Sequence, residues 1–154
     1  MNPLAHIFLA HLLLIYICRE GITELSLIIS GLSAIVVDLD HLPMLRRALR
    51  THRFTPESRS RWHELYGLVV GMIVCLPLLV LWPWLGKPAL IGLVSHYFLD
   101  MVSRPTRPFY PFSDQVVHLK LAPISLRNLT IYDIIVTSLM GGVWLWSLQG
   151  LGLL

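Results

Sequence analysis

Histidines and carboxylates punctuate an otherwise apolar chain in five groups: His6 with His11, Asp38-Leu39-Asp40-His41, His52, His63-Glu64, and His96-x-x-x-Asp100. Imidazole and carboxylate without thiolate are the donors of zinc, manganese or iron sites, and zinc is the usual choice for hydrolysis. Residues four apart on a helix share a face, so His96 and Asp100 can reach one ion or two adjacent ions. Asp38 and His41, three apart, share a face if their helix runs on to Pro43. An open site of this kind lowers the pKa of a coordinated water to about 7 and supplies hydroxide for attack on an ester or phosphoester. The two cysteines, Cys18 and Cys75, lie in apolar runs without CxxC spacing and read as small buried hydrophobes.

The elements that must position these groups are membrane helices. Hydrophobic residues make up 55% of the chain and charged ones only 14%, and the mean hydropathy is +0.68, which excludes an ordinary soluble composition. With 154 residues there is room for one domain. The expected fold is an all-α integral membrane protein, a single bundle of four to five transmembrane helices with the metal site at their cytoplasmic ends. Five apolar stretches mark the helices, at about 4–18, 22–37, 65–85, 89–102 and 131–149. Of these the third and fifth approach the roughly 20 residues of a perpendicular span, and the other three are short. The first stretch lacks a basic n-region and a cleavage site, so it is expected to be retained as a helix.

Charge orients the bundle. Of twelve basic residues, ten fall in the two loops on one side of a five-span arrangement: Arg46, Arg47, Arg50, Arg53, Arg59, Arg61, Arg104, Arg107, Lys120 and Arg127. Only Arg19 and Lys87 fall on the other. The N-terminus and both long loops are therefore expected in the cytoplasm, facing anionic headgroups. That topology brings the start of the first helix, the end of the second, the start of the third and the end of the fourth to one membrane face. All five polar groups meet there. Trp82, Trp84, Trp144 and Trp146 fit an interfacial belt on the opposite face.

At these residues the chain resembles the YdjM-like family of membrane-bound metal-dependent hydrolases. The resemblance is carried by DLDHLP at 38–43, by His52-Arg53, and by SHYFLDMVSRPTRPFYPFSD at 95–114. It implies that His6, Asp38, Asp40, His41, His52, His96 and Asp100 occupy the family's polar positions, and that the protein sits in a prokaryotic inner membrane. One departure is plain: the family's HRG-x-THS element reads HRFTPES here and lacks its second histidine, a place His63 can take if the loop carries an insertion. The residue order is also similar to the all-helical zinc phospholipases C and related nucleases, which implies a phosphoester substrate reached from the bilayer. The opening MNPLAHIFLA is similar to the start of acyl carrier protein phosphodiesterases over about a dozen residues.

Roles follow for the hydrolase reading. His6, Asp38, His41, His52, His63, His96 and Asp100 are the candidate metal ligands. Asp40 or Glu64 would orient or deprotonate the coordinated water, and Arg53 or Arg104 would steady negative charge on a phosphoryl group. Membrane lipids, including a lipid phosphoester as substrate, are the expected partners, and no nucleic acid is expected. The competing class is a non-enzymatic membrane protein, either a metal-ion carrier or a scaffold that binds headgroups or a partner. A conduit needs polar positions through to the far side, and the third and fifth helices have almost none past their first turns. His11, five residues from His6, lies off its face and suits a hydrogen bond to a neighbouring helix.

Overall fold

The computed structural model describes residues 2–19, 21–40, 62, 64–103, 105–117 and 126–153, the side chains of residues 40 and 126–129 excepted. Among these residues the chain is all helical: α1 (Pro3–Cys18), α2 (Glu24–Val36), a 3-10 turn (Val37–Asp40), α3 (Leu65–Leu81), α4 (Pro83–Ser103) and α5 (Leu126–Gly150). Local chemistry sets the helix starts. Pro3 opens α1 behind Asn2, whose side-chain oxygen accepts from the Leu4 N–H at 3.0 Å. Thr23 and Ser26 cap α2 reciprocally, each side chain accepting from the other's backbone N–H. Between them the chain reverses through Arg19 and Gly21, both at positive φ.

The turn between α3 and α4 falls at Trp82, earlier than the stretches at 65–85 and 89–102 imply. A residue before proline is pushed out of the α region, and Trp82, at φ −137° and ψ 73°, ends α3 while Pro83 begins α4. Lys87-Pro88, which resembles a turn in sequence, lies instead inside α4, where Pro88 leaves the Trp84 carbonyl without its i+4 donor but does not end the helix. The reversal is tight enough that a Cβ on Gly86 would meet the backbone of Leu79 and Leu78. As a result α3 has 17 residues rather than about 20. By length and composition α5, over Thr130–Gly150, is long and apolar enough to cross a membrane, while Pro3–Cys18 and Leu65–Leu81 are apolar but shorter.

The central packing is α2 against α4, with α1 across both, α3 on the outer side of α4, and α5 along α1. Small residues make the α2–α4 seam. A Cβ on Gly92 would run into the backbone oxygen of Ser30 and come within 2.9 Å of the Ser33 Cβ and 3.0 Å of the Ala34 nitrogen, so the two backbones touch there. Along α1, Phe8 and His11 pack on Trp144 of α5, and the Tyr16 hydroxyl lies 3.3 Å from that of Ser147. Successive contacts advance in the same direction along both helices, so α1 and α5 run parallel, as first and fifth members of an alternating series should. Trp144 is thus committed to the bundle, whereas Trp82, Trp84 and Trp146 are all at least half exposed.

Polarity is distributed the opposite way from a soluble domain. Among the described residues the largest fully buried side chains are His6, His96, Ser30 and Ser95, with Glu64, Asp100 and Ser103 nearly as enclosed. Large apolar side chains face outward, among them Ile73, Val74, Val80 and Leu81 of α3 and Ile134, Leu139 and Trp146 of α5. An apolar exterior of this extent is unfavourable in water and favourable in hydrocarbon. Gly92→Leu should force α2 from α4 and lower stability by about 1–3 kcal/mol, the usual cost of overpacking. Gly142→Leu, with nothing within 4 Å of its Cβ position, should leave the thermal unfolding midpoint in detergent nearly unchanged.

Candidate metal centre

Three helix ends deliver polar groups to one place: the first turn of α1 (His6), the turn after α2 (Asp38), and the last two turns of α4 (His96 and Asp100). One donor atom each from His6, Asp38 and His96 lie within 4.8 Å of one another. Asp100 joins them, its Oδ1 standing 3.5 Å from His6 Nε2. The four-residue spacing of His96 and Asp100 acts as expected, since both are at least 97% buried on the same side of α4. The 3-10 turn tightens the chain beyond Val36, so the regular helix expected to carry Asp38 and His41 on one face stops short of both.

His96 is held from behind. Its Nδ1–H donates to the Ala34 carbonyl at 2.6 Å, one of the last carbonyls of α2, which intrahelical bonds leave open. That bond fixes the tautomer, so Nε2 carries the lone pair. Metal-binding histidines are oriented in this way by a second acceptor. The close seam at Gly92 is what lets the ring reach this carbonyl.

His6 is different. It is fully buried, its ring is stacked on that of His96 (centroids 4.2 Å apart, planes at 21°), and neither ring nitrogen makes a hydrogen bond among the described residues. Several other buried polar side chains here are locally provided for. Ser30 donates to the Leu27 carbonyl at 3.0 Å, Ser95 to that of Gly92 at 2.7 Å, and His11 Nε2–H to that of Leu27 at 2.9 Å. Leaving an imidazole buried without a hydrogen bond costs on the order of 1–3 kcal/mol. A cation between His6, His96, Asp38 and Asp100 would remove that cost, and the donor set of nitrogens and carboxylate oxygens fits zinc, manganese or iron. Donors about 2.1 Å from one ion are at most about 4.2 Å apart, so coordination requires the two stacked rings to splay and close by under an ångström.

Glu64 is 2% exposed and lines the same cavity as Asp100. Its Oε2 accepts the Arg107 backbone N–H at 2.8 Å, while Oε1 is 4.0 Å from Arg107 Nε. Arg107 in turn stacks on the Tyr110 ring and approaches the exposed Asp114 carboxylate at 3.8 Å. Together with the paired backbone bonds between Thr106 and Val117, this ties residues 105–117 over the end of α4. Sequence reasoning assigned Arg107 to topology alone and did not foresee this anchor, nor the Ala34 carbonyl, because a backbone acceptor leaves no mark in residue types. Asp40 closes the 3-10 turn. His41, His52, Arg53, His63 and Arg104 lie outside the described residues.

His11 takes the structural role: besides its bond to α2 it packs on Trp144 and would meet a Cβ at Gly31. His11→Phe should therefore lower thermal stability by about 0.5–1.5 kcal/mol, the net worth of one hydrogen bond. The same variant should leave metal binding unaltered when assayed beside wild type by equilibrium dialysis against zinc.

Comparison with curated proteins and with solved structures gives no match. The family model described as YdjM inner membrane protein matches residues 1–153, nearly the entire chain. The chain therefore belongs to the YdjM inner membrane protein family.

Proposed function

We propose that this protein is a membrane-embedded metal-dependent hydrolase that cleaves a phosphoester or ester bond of a lipid or lipid-linked substrate at the shared end of α1, α2 and α4. The observation that carries this reading is His6, a fully buried imidazole with no hydrogen bond among the described residues, stacked on a second imidazole whose outer nitrogen is already engaged. Polar groups placed at such expense in an apolar bundle mark functional sites. The apolar outer faces of α1 to α4 support a bundle of four to five membrane helices, the shorter ones tilted little or set in thinned bilayer.

In this reading His6, His96, Asp38 and Asp100 would hold one cation or two adjacent ones, with His41, His52 and His63 as further candidate ligands and one position left open for water. Bound there, a divalent cation acidifies water and offsets charge on the scissile group. The chain's own residues do the rest. His96 presents Nε2 because Ala34 holds the other nitrogen, and Asp100 lies against His6 Nε2. Glu64 or Asp40 accepts the proton of the attacking water and returns it to the leaving oxygen as the old ester bond breaks. Glu64 suits that part because the Arg107 amide fixes its orientation beside the same cavity as Asp100. Arg53 or Arg104 would steady the phosphoryl oxygens.

The competing reading, a metal carrier, requires polar groups along a path to the far end. Among the described residues α3 buries only Gly67 and Cys75 and so offers no buried polar side chain to such a path.

Elemental analysis of the detergent-purified protein should find near-stoichiometric zinc, manganese or iron, and His96→Ala/Asp100→Ala should lose it while remaining inserted. Glu64→Gln should retain the metal and lose turnover of phosphodiester lipids by roughly 10²–10⁴-fold, the usual contribution of a general base. Absence of metal in wild type after reconstitution with excess ion would remove the hydrolase reading.

A further inference from the structure

Between α3 and α4 runs a cavity of about 280 Å³ lined by Leu65, Leu68, Val94, Phe98, Met101 and, at its inner end, Asp100 and Thr106. We propose that it seats one acyl chain of a bilayer phospholipid, with the glycerol and phosphate end at Asp100. The proposal deepens the hydrolase reading by naming its substrate class, and rests on that reading only for what happens at the polar end.

Three observations select this occupant. The mouth lies on the membrane-facing side, since Leu65, Val94, Phe98 and Met101 are each 40% exposed or more and continue the apolar exterior of α3. A path from the bilayer interior is thereby open sideways, with no polar barrier at its mouth. The inner end is polar and nearly closed: Glu64 is 2%, Asp100 3% and Thr106 6% exposed, the Thr106 hydroxyl has no hydrogen-bond partner among the described residues, and the two carboxylates would meet a phosphate through the cation of the proposed site. An unsatisfied buried hydroxyl at the end of an apolar slot suits an ester or phosphate oxygen. Size sets the third limit. Pockets for whole drug-sized ligands occupy about 300–1,000 Å³, so this one holds part of a single chain and excludes a complete two-chain lipid.

From the inner end the step to the candidate metal centre is one residue wide, because Asp100 both lines the cavity and stands 3.5 Å from His6. A chain seated in the slot would bring the bond next to its head toward His6 and His96. The architecture thus uses an apolar anchor to fix a polar group, so recognition falls on chain and linkage more than on headgroup identity.

The test is photolabelling in vesicles of phosphatidylethanolamine and phosphatidylglycerol containing a small fraction of phosphatidylglycerol with a diazirine on one acyl chain. The full-length protein is reconstituted, treated with EDTA, irradiated and mapped by peptide mass spectrometry. Label should concentrate on Leu68, Val94, Phe98 and Met101 relative to the outward-facing Val80, Leu139 and Trp146, and Val94→Trp, which fills the slot, should reduce groove labelling roughly tenfold. Leu68→Trp provides a second filling variant should the first fail to insert. Equal labelling of groove and outer positions, or labelling unchanged by both fillings, would overturn the proposal. Metal content measured on the same preparations separates the two readings: groove labelling in a protein that takes up no metal keeps the chain site and removes the hydrolase, whereas metal uptake with uniform labelling does the reverse.

Discussion

The hydrogen bond from His96 Nδ1 to the Ala34 carbonyl is the contact on which the arrangement of the site depends. It joins the two helices that pack most closely, satisfies an open carbonyl at the end of α2, and determines which nitrogen of His96 faces His6. None of this is possible at an ordinary interhelical separation of about 8–10 Å. Gly92 against Ser30, Ser33 and Ala34 removes the side chains that would hold the backbones apart. A packing feature of four small residues therefore becomes a chemical one.

The same contact explains why the interior is polar. In hydrocarbon there is little hydrophobic gain from burying Leu against Leu, so helices associate through close packing and hydrogen bonds, and polar groups turn inward because lipid offers them no partner. Ser30, Ser95, His11 and His96 each solve their own solvation by bonding a backbone carbonyl. His6 does not, and its neighbours are Asp38, Asp100 and a second imidazole. The proposed metal gives that residue a reason to be where it is. Membership of an inner membrane protein family accords with this inverted distribution.

Much of the architecture was legible in the residues. Five apolar stretches became five helices, and the alternation of basic loops anticipated that α1 and α5 would run parallel. The spacing of His96 and Asp100 was sufficient to place both on one buried face, because helical periodicity is a local property. What escaped was governed by longer-range or backbone chemistry. Trp82-Pro83 broke the third helix where hydropathy continued smoothly, since proline acts on the preceding residue's backbone rather than on polarity. Asp38 entered the cluster from a 3-10 turn rather than from a helix face. Glu64, marked as a possible base, also proved to be the anchor of residues 105–117 through an amide that no side-chain pattern reveals.

The most direct measurement is anomalous diffraction at the zinc edge from crystals of the protein grown in lipid with zinc. The account predicts a peak about 2.0–2.2 Å from His96 Nε2, a nitrogen of His6 and a carboxylate oxygen of Asp38 or Asp100, with the His6 and His96 rings splayed from their stack. A map with no peak between these residues, and with the His6 ring hydrogen-bonded to the Asp100 carboxylate, would contradict it and leave the cluster as a structural polar core.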